Sequence, residues 1–223
     1  MSTYLKTSRV LGAAFLLQFL TSFSSGIFIE PMWLVPDNVS ETMLKIAENP
    51  WLLKTNILLD MSTALGIIFL GAILFITLRN QNEKMALVAL GFYILEAGVL
   101  ATSKMATFSL LRISQEYVSA GGPEYLQSFG NLALESMDFL GFTMHMLAFC
   151  LGAILFYYLL YKSGVVPRVL SLWGLITVTP LLFATIAAMF DYQVPFIIAI
   201  PYVPFEFVIG VWILVKGIPE TRS

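Results

Sequence analysis

Apolar residues run through this chain in six long blocks, at 10–29, 55–78, 85–103, 136–161, 169–190 and 196–215. Each holds about 20 residues, the length an α-helix needs to cross roughly 30 Å of hydrocarbon, and none alternates as a strand would. Polar positions inside the blocks recur at three-, four- and seven-residue spacings, which places them on one helical face. Gln18, Ser22 and Ser25 form one such stripe, and Asn56, Asp60 and Thr63 a second. Glu96, Ser103 and Thr107 form a third, and Asp138, Gly141, His145 and Gly152 a fourth. Between the fifth and sixth blocks only residues 191–195 intervene, so these two form a tight hairpin.

The longer connections also carry pattern. Residues 40–48 read as a short amphipathic helix, with Met43, Leu44 and Ala47 on one side and Glu41, Lys45 and Glu48 on the other. Asn49-Pro50 restarts a helix, with Asn as N-cap and Pro at the first helical position. Gly121-Gly122-Pro123 breaks two helical stretches, so the third and fourth helices extend past the membrane and turn there. The hexapeptide LGAILF occurs at 70–75 and again at 151–156. In so apolar an alphabet this repeat is read as a chance match rather than a duplication.

Composition sharpens the picture. Of 223 residues, 58% are hydrophobic and 12% charged, where a soluble domain has about a quarter charged. A net charge of −2 argues against a nucleic-acid binder. The stretches between blocks reach only about 25–30 residues, below the roughly 40 that an independent core needs. Cys150, the only cysteine, is read as a small packing residue. The expectation is therefore one all-α domain over 1–223, an integral membrane bundle of six transmembrane helices with short amphipathic helices in its outer loops.

Lysine and arginine set the orientation. With the N-terminus inside, the cytoplasmic side collects Lys6, Arg9, Arg79, Lys84, Lys162, Arg168, Lys216 and Arg222, and the outer side Lys45, Lys54, Lys104 and Arg112. This bias predicts N-in, C-in. The first block follows Lys6 and Arg9 but exceeds an ordinary signal-peptide core, and residues 22–25 offer a weak cleavage context, so it reads as a retained helix. Trp33, Trp51 and Trp212 read as interface anchors.

Ionisable groups inside such segments are costly and carry a functional expectation. Glu96, His145 and Glu206 fall near mid-depth, and they are expected to approach one another. Asp60 and Asp138 lie nearer the outer surface and join them as ligand-binding candidates, although solvation, or snorkelling for Lys104, is the preferred reading for each of these three. Pro195, Pro201 and Pro204 precede Glu206, so the sixth helix should be kinked or interrupted there, with carbonyls freed beside a carboxylate. Pro180 adds a bend in the fifth helix.

Three functions fit these features. The first is binding or transport of a small polar or ionic ligand from outside, in a homodimer since six helices are few for a complete transporter, with one carboxylate as proton carrier. The second is an intramembrane hydrolase. A catalytic zinc takes three protein ligands plus water, which one histidine and two glutamates could supply, yet no HExxH cluster or Gly-rich phosphate loop is present. No metal or other cofactor is expected. The third is an accessory or signalling subunit in which the buried charges only fix helix register.

The segments LLYKSGVVPRVLSLWG at 159–174 and FEFVIGVWILVKG at 205–217 resemble the uncharacterised bacterial membrane family called domain of unknown function 4386. YILEA at 93–97 and SRVLG at 8–12 are similar to other landmarks of that family. The resemblance spans nearly the whole chain and implies a polytopic protein of a bacterial cytoplasmic membrane. It brings no activity, substrate or catalytic residue, and places Glu96, Glu206 and Lys216 inside landmark segments.

Overall fold

The computed structural model describes residues 3–192 and 194–218, with side chains from residue 9 onward, Phe196 excepted. Arg222 and the side chain of Lys6, both counted in the charge bias, lie outside the described residues. All regular structure among these residues is helical.

Helix α1 spans Thr3–Phe23 and continues through a π-helical turn at Ser24–Ile29 into Glu30–Trp33. Helix α2 covers Val39–Glu48, α3 Pro50–Leu78 and α4 Glu83–Ser119. Helix α5 runs over Glu124–Ser163 with a second π-helical turn at Phe139–Met144. Helix α6 is Arg168–Ala188, and α7 is Val203–Lys216. Five of these are long and apolar enough to cross a membrane: α1 from Arg9, α3, α4, α5 and α6. That set fits a multi-pass membrane protein.

Local chemistry sets the ends. Asn38 caps α2 by accepting from the Glu41 N–H at 3.0 Å, and Asn82 caps α4 by accepting from the Met85 N–H at 3.1 Å. Asn49 stands before α3 as expected, but its side chain makes no capping bond. Gly164 ends α5 at φ 64°, and Gly121 and Gly122 turn α4 into α5 at φ 78° and 79°. Side chains other than glycine rarely hold that left-handed conformation.

The sixth apolar block departs most from a plain span. Its helix begins only at Val203 and has 14 residues, about 21 Å long and short of the roughly 30 Å hydrocarbon core. Residues 196–198 form a single 3₁₀ turn before it. The interruption expected from the prolines is present. Pro201 cannot donate within a helix, while Pro204 sits in the first turn, where a missing N–H costs nothing. Pro180, by contrast, lies inside α6, which continues through it unbroken.

The helices pack in the order α6, α5, α4, α3, α1, α7. Although joined in sequence, α6 and α7 share little backbone contact, and α7 lies chiefly along α1. Glycine makes that pairing close. A Cβ at Gly12 would stand 2.5 Å from the Leu214 backbone N and 2.8 Å from the Gly210 carbonyl oxygen. The interior is filled by Tyr93, Phe156, Tyr157 and Phe205, seated on glycines: Tyr93 between Gly71 and Gly152, Phe205 on Gly174.

At the end bearing the Gly121 turn, the two long connections meet in a second core. Trp33, Met43, Ile46, Leu53, Leu110 and Leu126 are all buried there. Two readings of these connections change. Trp33 is fully buried rather than an interface anchor, whereas Trp51 is exposed. The packed face of α2 is Thr42, Met43 and Ile46, with Leu44 exposed. Because α4 has 37 residues, about 55 Å, it outruns the hydrocarbon by some 25 Å and carries this core with it.

Candidate functional site

Glu96 lies on the face of α4 that meets α5. It is 2% exposed, and its Oε1 stands 3.5 Å from His145 Nε2. That is an ion-pair separation, longer than the 2.7–3.2 Å of an ordinary N–H···O bond. Glu96 Oε2 and His145 Nδ1 are also buried, and neither has a partner. The expected approach of these two residues is present, and two polar atoms remain free beside it. Gly141, on the same α5 face, lies against Ser103, and Gly152 against Tyr93. Gly141, His145 and Gly152 of that stripe thus face α4.

Glu206, partly exposed, sits in the first turn of α7. It does not join the Glu96–His145 pair directly. Its Oε1 accepts from the Tyr202 hydroxyl at 2.8 Å, and Tyr202 shares a 2.6 Å hydrogen bond with Tyr157. Tyr93 is buried as well and packs edge-on against Phe156, next to Tyr157 in the chain. One carbonyl of the interrupted segment is already engaged: Pro201 O accepts from Trp173 Nε1 at 3.0 Å. Sequence reasoning missed these tyrosines. The signal that could have found them is Tyr202, one helical turn before Glu206 and amid prolines, where a hydroxyl can reach the carboxylate.

Asp60 belongs to a different polar centre. Its carboxylate accepts from Lys104 Nζ on one oxygen and from the Ser25 hydroxyl on the other. Ser25 in turn accepts from Asn56 Nδ2 at 2.8 Å, and Thr63 bonds Thr21 at 2.8 Å one turn away. The network ties α1, α3 and α4 together. Lys104 and Asp60 side chains are 10% and 15% exposed, so the expected solvation or snorkelling gives way to a nearly buried ion pair. Ser25 lies in the π-helical turn, the kind of insertion that redirects a side chain and recurs at functional sites. Ser22, assigned to the same stripe, is exposed. Glu30 lies near enough for the charges of Asp60, Lys104 and Asp138 to reach it. Asp138 itself is exposed and bonds to no described residue, so it joins neither centre.

A cleft of about 280 Å³ opens between α5, α6 and residues 194–199. Its lining includes Phe142, Leu181, Thr185, Pro195 and Ala199 and is mainly apolar. Phe142 and Ala199 stand three residues before His145 and Tyr202, so the cleft lies one turn from both halves of the site. Among the described residues, no three of His, Cys, Asp and Glu gather closely enough to hold a metal ion.

A family model described as Domain of unknown function (DUF4386) matches residues 10–217, nearly the whole chain. The chain belongs to this family. No curated protein and no solved structure matches it. For DUF4386 the description supplies a family without an activity, so chemistry must be argued from the side chains.

Proposed function

We propose that this DUF4386 protein is a six-span, N-in/C-in protein of the bacterial cytoplasmic membrane that binds or transports a small polar or ionic ligand. The ligand site is formed by Glu96, His145 and Glu206. The observation that carries this reading is the pair of buried, partnerless atoms Glu96 Oε2 and His145 Nδ1. A buried polar atom left without a partner costs about 1–3 kcal/mol, and a purely structural pair would have closed on itself. The cleft one turn away supports access from the Gly121 side. Six spans follow if residues 194–216 cross as an interrupted segment, as half-helices do in transporters.

Thermal stability against pH in detergent tests this reading. Glu206→Gln keeps shape and hydrogen bonding but removes the titratable charge, and it should stay folded while its stability profile flattens relative to wild type. Superimposable profiles would make Glu206 a silent structural group.

A second reading, an accessory or signalling subunit that docks a partner protein, draws on one observation. Tyr125, Phe129, Leu132 and Phe139 are 48–60% exposed along one stripe of α5, reaching beyond the hydrocarbon block. Cross-linking from Phe129→Cys in native membranes should give an adduct with a different protein under this reading, and monomer or homodimer alone would end it.

A further inference from the structure

We propose that the ligand met by Glu96 and His145 is a lipid-soluble alcohol. Its uncharged hydroxyl bridges Glu96 Oε2 and His145 Nδ1, and its apolar chain lies in the cleft between α5, α6 and residues 194–199. This rests on the ligand-handling reading of that pair and names the class of molecule.

The pair itself selects an uncharged head. A net charge buried among apolar helices is costly. The two side chains therefore hold two protons between them, as imidazolium with carboxylate or as the two neutral groups. His145 Nε2 and Glu96 Oε1 face each other at 3.5 Å, and that contact is attractive only if one proton lies between them. The second proton then sits on Nδ1 or on Oε2, the two buried atoms without a partner. In each case one free atom donates and the other accepts. A hydroxyl, with one O–H and two lone pairs, answers both. An ammonium offers only donors and a carboxylate only acceptors, so either would leave one buried atom unsatisfied.

The cleft selects the rest of the molecule. Its walls include Leu181, Ala184, Ala188 and Ala199, and its one polar side chain, Thr185, donates its hydroxyl to the Leu181 carbonyl at 2.9 Å. An ordered water needs two to four polar partners, and these walls do not supply them. At about 280 Å³ the cleft is too small for a second helix, which is about 10 Å across, and it suits a single chain. Phe183, Phe190 and Ile197 beside it are 67–71% exposed, an apolar rim that matches hydrocarbon rather than water. Entry is therefore from the bilayer. Phe142 forms one wall and stands one turn before His145 on α5, and the His145 side chain is 17% exposed. A chain seated in the cleft thus brings its head to the pair.

The test uses the full-length protein in lipid nanodiscs, photolabelled with decanol that carries a diazirine near its chain end, with adducts mapped by mass spectrometry. Adducts should fall on cleft residues such as Phe142, Leu181 and Ala199. Unlabelled decanol should compete, whereas decane, decyltrimethylammonium and decanoate should each compete about tenfold more weakly or worse. Ala184→Phe fills the cleft without touching the pair and should abolish labelling. Glu96→Leu combined with His145→Leu strands no buried charge and should reduce decanol to the level of decane, so the proposal stays testable if one variant folds poorly. Decane competing as well as decanol, or labelling that neither variant changes, overturns the alcohol site. Decyltrimethylammonium or decanoate competing as well as decanol shows a charged head, which overturns the proposal and leaves the ligand reading standing. That reading falls separately, on superimposable pH profiles of wild type and Glu206→Gln measured without any alcohol.

Discussion

An ammonium and a carboxylate, each nearly buried among apolar helices, hold one another in place at Lys104 and Asp60. Removing one partner leaves an uncompensated charge in poor solvent, which costs far more than the pair contributes. Lys104→Met should therefore lower stability by roughly 3 kcal/mol, while Asp60→Asn combined with Lys104→Met recovers most of the loss. Denaturation of both variants in detergent measures it, and equal losses would show that the pair does not couple. Both residues were legible in the sequence as polar positions near a membrane boundary. Their pairing was not, because hydropathy gives depth without showing how far α4 and α5 rise around that depth. Ser22 and Ser25 show a related limit. Three residues apart they share a face on an ideal helix, but the π-helical turn buries Ser25 on Asp60 and leaves Ser22 outside. Nothing in the local residue types announces that extra residue in the turn.

Among the elements, α1 and α7 depend on one another through glycine. In membranes, helices approach closely where small residues remove side-chain bulk. A Cβ at Gly12 meets backbone atoms of α7, which cannot swing aside as a flexible side chain would. Gly12→Ala should therefore destabilise by about 1–3 kcal/mol, the range for overpacking. Gly98 has nothing within 4 Å of its Cβ position. Gly98→Ala should be neutral, or stabilising by about 0.5–1 kcal/mol from helix propensity. Melting temperatures of the two variants give the comparison, and equal shifts would remove the packing argument. Helix ends were partly marked in the sequence: the Gly121 turn acts where its chemistry says it should, Asn49 precedes α3 without a capping bond, and the capping side chains are Asn38 and Asn82, which the apolar pattern did not single out. The partner of α7 was not marked. Proximity in sequence suggests α6, and only the three-dimensional match of Gly12 with Gly210 selects α1.

For the whole molecule, the basic residues predict orientation. A reporter inserted at Gly121–Gly122 should be external, and one placed between α3 and α4, after Arg79, cytoplasmic. A cytoplasmic signal at Gly121 would invert the arrangement. The second core adds an expectation that segment length alone did not contain. Each connection is too short to fold by itself, yet α2 and the extensions of α4 and α5 bury Trp33 together. Trp33→Ala should cost about 3–5 kcal/mol while leaving the Glu206-dependent pH profile unaltered, since it lies in a separate cluster. Loss of both together would mean that the two cores melt as one.

The pairing of α7 with α1 also governs how the chain is made. Ribosomes release α1 well before α7, with helices α2 to α6 synthesised in between. Until Val203 and the residues beyond it emerge, the Gly12 face of α1 has no mate, and Tyr202 and Glu206 are missing from the interior. Assembly is then a closing of two distant elements rather than a stepwise stacking of neighbours, a long-range contact that must wait for every helix between them. A chain halted after Ala188 would hold α1 to α6 in the bilayer with an open seam. During biogenesis, that seam is where a quality-control protease or insertion chaperone would find its grip.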